Sequence, residues 1–387
     1  MLGSRVRAPE GALKETVQPS FFVPVCEQIL YYLHVEKIKL YLKRKDIEIS
    51  FRRYGIEAMS AMAQGLFCTL LVGTILNTLG TQFNISILTM DLVTFAGKSY
   101  TLGALAQLMA GPAMAVAIGS ALKSPSLVLF SLIPVGLAAN AIGGAGGPFA
   151  VYVITVLAAE CGKLVSKETK VDLLVTPSVT LLAGLGLACI IAAPVGNAAA
   201  WLGNVIMWAT EQQPFVMGIL VSVIVGMALT LPVSSAAICA GLGLTGLAGG
   251  AALAGCCAQM VGFATMSFKE NKWGGLVSQG LGTSMLQMGN ILKNPIIWLP
   301  PVITSMVTGP VATCIFRLEM NGAAVNSGMG TCGLCGPIGV WTGWSDPSVS
   351  DWAGLFLICF ILPAVITPLV ALPFRKKGLI KPGDLFI

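Results

Sequence analysis

The residues best placed to do chemistry lie close together near the carboxyl end. They sit in the run Arg317-Leu318-Glu319-Met320-Asn321-Gly322-Ala323-Ala324-Val325-Asn326-Ser327-Gly328-Met329-Gly330-Thr331-Cys332-Gly333-Leu334-Cys335-Gly336-Pro337. Asn321, Asn326, Ser327 and Thr331 offer neutral donors and acceptors at short spacing, and Glu319 adds one anionic acceptor. Amides and hydroxyls of this kind grip uncharged, hydroxyl-rich ligands, and Trp341 and Trp344 nearby offer a face for stacking. A carboxylate that accepts a hydrogen bond from a ligand hydroxyl also positions and polarises it. The same residues fit plainer roles: Glu319 paired with Arg317 at a membrane boundary, asparagines capping turns, tryptophans as interfacial anchors.

The elements that must hold these groups follow from composition. Only 10% of the 387 residues are charged, 55% are hydrophobic and the mean hydropathy is +0.83, whereas a soluble fold carries roughly 25% charged residues. Charge is also uneven: residues 1–53 hold ten Lys/Arg and six Asp/Glu, residues 54–373 only nine and ten. Such a body cannot cover its surface with ions and must be solvated by lipid. The expected fold is therefore an all-α polytopic membrane protein with about 8–10 crossings. It divides into a basic amphipathic arm (1–53), an apolar membrane body (54–373) and a short basic tail (374–387).

The arm carries Lys37, Lys39, Lys43, Arg44, Lys45, Arg52 and Arg53 among apolar residues, a pattern that lies on an anionic leaflet; His34 reads there as a solvated surface histidine. Residues 58–79 form the first expected span. Apolar segments follow at roughly 101–121, 126–142, 148–165, 178–193, 214–231, 250–267, 295–316 and 351–373. Stretches 85–96, 197–209, 233–248, 275–292 and 320–340 are too glycine-rich or amphipathic for full spans and read as interfacial helices or re-entrant hairpins. The basic clusters at both ends, with Lys163, Lys167 and Lys170 in one loop, place both termini in the cytoplasm; Glu211 marks the opposite side.

Glycine, at 45 residues, exceeds the average of about 7%, and 21 prolines fall largely inside apolar runs. Broken helices of this kind line polar cavities in transporters. Internal echoes support that architecture. Pro134–Asn140, Pro194–Ala200 and Pro232–Ile238 share a Pro-Val-small-x-Ala-Ala pattern. Asn140 and Asn326 each precede a Gly-rich stretch and then Gly147-Pro148 or Gly336-Pro337, with three extra residues in the second copy.

Other chemistry is disfavoured. Nucleic-acid binding needs a basic face that this charge distribution does not offer. Cys332 and Cys335 form one C-x-x-C without a second pair, and the only histidine is His34, so no metal site or cofactor is expected. The two thiols fit a tight turn of small residues. Glu160 stands three residues before Lys163, the spacing of a helical ion pair, and Asp91 is the remaining acid in apolar surroundings. The first 20 residues are polar and contain Pro9 and Pro19, so no cleavable signal peptide is expected.

The stretch from Asn321 to Gly339, with the Gly143-Gly144-Ala145-Gly146-Gly147-Pro148 hairpin, resembles the second group of phosphotransferase-system (PTS) enzyme IIC proteins, which includes the perfringolysin O regulator type. The resemblance covers roughly residues 55–375. It implies a dimeric sugar permease of the bacterial inner membrane with elevator-type architecture, in which hairpins carry the sugar for phosphorylation by separate IIA and IIB partners. It also implies that Glu319, in the position of a hairpin glutamate, contacts the hydroxyl to be phosphorylated. Asn321, Asn326, Ser327, Thr331, Asn140 and Trp341 are then the sugar-binding candidates. The sequence departs from better-known IIC families in having no histidine in the membrane body and no IIA or IIB domain, so no complete active site is expected in this chain alone. Two alternatives stay open: a secondary transporter or exporter of a small polar solute on the same fold, and a membrane-embedded regulator.

Overall fold

The computed structural model describes residues 39–387 apart from 96, 343, 345 and 346. Most of the basic arm, His34 included, lies outside the described residues. Residues up to Glu48 form a unit of their own. Its described part is a helical turn in which the Arg44 guanidinium lies 5.2 Å from the Tyr41 ring centroid, closed by Asp46 at φ 52°.

From Ile49 onward the chain is a helical bundle, and among the described residues its only sheet is a two-stranded hairpin, Val93–Phe95 with Lys98–Tyr100. Six helices are long and apolar enough to cross a membrane, or seven if the bent pair described next is one span. The bundle begins with α1 (Arg52–Thr81), followed by α2 (Leu102–Leu108) and α3 (Ala110–Ala121), which meet at a 48° bend. The stretch from Ser126 to Val165 turns back on itself as α4 (Ser126–Gly143) and α5 (Gly147–Val165). A Cβ on Gly143 would touch Ala150, and one on Gly162 would touch Val128, so the two legs run antiparallel. Gly144 makes the reversal at φ 51°, in open space where an added Cβ would meet nothing within 4 Å.

Next comes α6 (Asp172–Thr210), a single 39-residue helix. The sequence divides this stretch at Pro194, but the helix continues because a π-turn at Ala188–Ala192 precedes the proline. Pro194 thus occupies the first turn of the following segment, where its missing N–H costs little. At about 1.5 Å per residue the helix is about 58 Å long, roughly twice the hydrocarbon thickness.

The remaining long elements are α7 (Pro214–Thr230), α8 (Ser235–Gly241), α9 (Gly246–Met266), α10 (Pro295–Ile315), α11 (Cys335–Trp341) and α12 (Val349–Lys376). At the centre is α9, 89% buried over its apolar window. Small residues let its neighbours approach: α7 packs Gly226 on Gly255, and α10 packs Ser305 and Thr308 against the Gly255 and Ala254 carbonyls. Threonines pair where α10 meets α12, with Thr304 Oγ1 2.9 Å from Thr367 Oγ1.

These contacts define two ends. At the upper end Gly246 and Met320 exchange backbone hydrogen bonds, Thr313 donates to the Pro214 carbonyl, and Phe316 packs on Gly354. At the lower end Arg375 bonds the Met266 carbonyl and pairs with Glu270 at 3.2 Å. There too Arg53 and Lys163 both donate to the Leu122 carbonyl, and Lys163 lies 3.1 Å from Glu160, the ion pair its spacing predicts. From residue 49 onward, every lysine and arginine lies at the lower end except Lys98 and Arg317.

Two segments enter the bundle and return to the end they left. Residues 268–293 leave the lower end, break in a π-turn at Ser278–Gly282 and come back by Lys293. Residues 321–341 leave the upper end, descend through short 3-10 turns and return along α11. They meet where Thr331 Oγ1 donates to the Gly280 carbonyl.

Candidate functional site

Polar residues inside α1 start the site. Thr74, Asn77, Thr78 and Thr81 follow an i, i+3, i+4, i+7 spacing, which puts all four on one face of the last two turns of α1. That face is fixed from the side by α2: Gln107 Nε2 donates to Thr74 Oγ1 at 3.1 Å, and Thr101 Oγ1 donates to Asn77 Oδ1 at 3.1 Å. Thr78 Oγ1 lies 3.1 Å from Cys335 Sγ, which ties the stripe to the returning leg of the 321–341 segment.

Between these elements lies a chamber of about 380 Å³, lined by Thr74, Asn77, Thr78, Gln107, Ser234 and Asn326, with Met329 as an apolar contact. Its size falls in the range of small-molecule sites, roughly 300–1,000 Å³. Ser234 reaches it from the break before α8, where the Ser234 N–H bonds the Ala145 carbonyl at the α4–α5 tip. Asn77 spends its Oδ1 on Thr101, so its amide N–H groups are left to face the cavity; the Asn326 amide makes no protein hydrogen bond among the described residues. Among the described residues, no charged side chain lines the chamber. Half-buried amides and hydroxyls without a charge favour an uncharged ligand that replaces the hydrogen bonds it leaves behind in water.

Below, the chamber narrows to a throat with about 60 Å³ of free volume, sharing Leu70, Thr74, Ser234 and Met329 with it and adding Leu66, Leu229 and Met285. Gly282 and Pro148 also reach the throat. The lower-end segment and the α4–α5 tip thus both close on this one path.

A family model described as phosphotransferase system, EIIC, matches residues 56–387. The chain belongs to that family. No curated protein and no solved structure matches it. Membership makes this EIIC chain a multi-pass membrane component of a phosphotransferase system, a class that handles a sugar together with IIA and IIB proteins.

The EIIC chain brings one of the seven site residues expected from sequence, Asn326, to the chamber. Ser327 is buried and donates to the Leu244 carbonyl at 2.6 Å, and Thr331 is buried at the contact with Gly280. These two hold the segment in place. Glu319 and Asn321 are exposed at the upper end, where the Asn321 amide lies 3.5 Å from the Glu319 carbonyl. Trp341 packs at 5.8 Å from Trp352, which also meets Trp344 at 5.3 Å, so the tryptophans form an aromatic cluster at the upper end. Asn140 packs on its own hairpin, where a Cβ on Gly147 would come within 2.5 Å of its Oδ1.

Cys332 and Cys335 are free and buried, and no cluster of three His, Cys, Asp or Glu occurs among the described residues. Asp91 is exposed in the loop before the strand hairpin. Sequence reasoning missed the α1 stripe and Gln107. The signal was present: Thr74, Asn77 and Thr78 at helical spacing inside the expected span 58–79, with Thr81 just beyond it.

Proposed function

We propose that this chain is the permease subunit of a sugar phosphotransferase system. In this reading it binds an uncharged sugar or polyol in the chamber and carries it across the membrane for phosphorylation by separate IIA and IIB proteins. The observation that carries it is the chamber itself: two asparagines, a glutamine and several hydroxyls with no charge among them, walled on one side by the broken 321–341 segment. Broken backbone at membrane depth is tolerated only where protein or a water-filled cavity shelters it, so residues 268–293 and 321–341 read as re-entrant hairpins. The concentration of lysine and arginine at the lower end supports the reading that this end faces the cytoplasm of a bacterial inner membrane; in that reading the chamber faces outward. An elevator movement of the hairpins and a homodimer are part of this proposal.

Recognition in this reading rests on Asn77, Gln107 and Asn326. Asn77→Ala lowers sugar affinity about tenfold in a ligand-stability titration, as expected for one lost hydrogen bond to a desolvated ligand. Glu319→Gln leaves that affinity unchanged, because Glu319 stands outside the chamber. In vesicles given the phosphocarrier partners, uptake depends on phosphoenolpyruvate; accumulation of unmodified solute without a donor would reject the coupling. That second outcome corresponds to a secondary transporter, a reading favoured by the absence of any carboxylate or imidazole from the chamber lining.

A further inference from the structure

A second cavity, of about 510 Å³, opens at the lower end. Its polar lining is Ser60, Gln64, Ser278, Asn290 and Lys293, and among the described residues Lys293 is the only charged side chain in it. The Lys293 ammonium pairs with no carboxylate among the described residues. It points at Asn290 Oδ1, 3.4 Å away. The orientation of that amide is fixed, because Asn290 Nδ2 donates to Gln287 Oε1 at 2.9 Å and to the Phe386 carbonyl at 2.8 Å.

The wall opposite is the tail. Asn271 and Gln287 donate to the Leu385 carbonyl at 2.7 and 2.9 Å, and the Ile387 N–H returns a bond to Asn271 Oδ1 at 3.1 Å. Phe386 and Ile387 thereby become part of the lining. Phe67 divides this vestibule from the throat: it lines the vestibule, and its ring packs against Gly282, which lines the throat. One path thus has a neutral chamber above the barrier and a cation-bearing vestibule below it.

We infer that the vestibule is a second solute site, selective for a phosphate-bearing form of the solute, with Lys293 as the phosphate-binding residue and Ser60, Gln64 and Ser278 as supporting donors. Lys293 is exposed, so its ammonium attracts an anion in a salt-dependent way, and charge-assisted hydrogen bonds to phosphate are roughly twice as strong as neutral ones. An uncharged sugar gains little there. The identity of the anion as a sugar phosphate rests on the phosphotransferase reading; the anion selectivity does not.

Cys68, an exposed thiol in the same lining, is a built-in reporter. The full chain in lipid nanodiscs is treated with a neutral maleimide, and Cys68 modification is followed by peptide mass spectrometry at constant ionic strength. The probes are a panel of hexose phosphates, inorganic phosphate and the parent hexoses. Hexose phosphates and phosphate are expected to slow Cys68 modification, and hexoses to leave it unchanged. Lys293→Gln weakens the protection about tenfold and Lys293→Arg keeps it, with protection in each variant taken relative to that variant's own rate without ligand. Protection by neutral hexose, protection that survives Lys293→Gln, or no protection by any phosphate compound overturns the inference. The sugar-binding chamber is read separately through Asn77→Ala, so either site can fail while the other stands.

Discussion

The chain reverses direction twice at a Gly-rich stretch that ends in Gly-Pro, once at 143–148 and once at 321–341, and the two reversals do different work. In the first, regular helices α4 and α5 run up to the turn, and Asn140 is used up inside the hairpin against Gly147. In the second, the three additional residues between asparagine and proline break the descending leg into 3-10 turns. Asn326 is therefore presented to the chamber, although its Cβ still packs on Gly339 of the returning leg. The same local motif yields a scaffold when its legs are helical and a binding wall when they are not. The difference lies in spacing: eight residues from Asn140 to Pro148 complete a compact turn, and eleven from Asn326 to Pro337 do not.

The largest effect expected from breaking this contrast comes from Gly330. It has φ 56°, and a Cβ there would lie 2.9 Å from Cys256 Cβ and 3.0 Å from the Cys256 carbonyl carbon. Gly330→Ala combines backbone strain with overpacking and should cost about 3–5 kcal/mol, seen as loss of a monodisperse species in detergent. Monodisperse protein with unchanged thermal stability would show that the crowding is not real.

Next in size is the paired test of the two asparagines. Asn326→Ala should weaken sugar binding about tenfold or more, whereas Asn140→Ala should leave affinity unchanged; equal losses would erase the distinction between wall and scaffold. Thr331→Val keeps the side-chain shape but strands the buried Gly280 carbonyl, at a cost of about 1–3 kcal/mol. Thermal unfolding measures it, and no shift would mean that the two broken segments are not joined through this bond. Last comes Gly144→Ala. The backbone there has φ 51° and ψ −121°, a glycine-favouring conformation, but the space is open, so backbone strain of about 1–3 kcal/mol is expected with no overpacking added to it. A loss as large as that of Gly330→Ala would mean that the first reversal is as constrained as the second.

The same comparison shows how far the sequence can be read. The Asn…Gly-Pro echo marks both reversals, and Asn326, singled out in the sequence, lies in the chamber lining. Glu319 draws attention as an acid beside a Gly-rich run, yet it stands at the exposed start of the segment, where the chain is still leaving the upper end. Trp341 reads in sequence as a stacking face for a ligand, and the structure packs it, tilted by 51°, against Trp352 at the upper end. The residues that face Asn326 come from α1 and α2, more than 200 positions earlier. No local pattern joins them to the hairpin, because the pairing arises from packing.

By itself, the sequence determined the solvent of this protein and the places where its helices must break. Apolar length and scarce charge leave lipid as the only medium for the body, and closely spaced glycines among polar residues disfavour regular helix at 278–282 and 321–334. Tertiary structure alone decided which polar groups converge. Whether a threonine or an asparagine on a membrane helix faces lipid, a neighbour or a ligand depends on what packs beside it. Here α2, the break before α8 and the upper hairpin close around the α1 stripe and make it a wall.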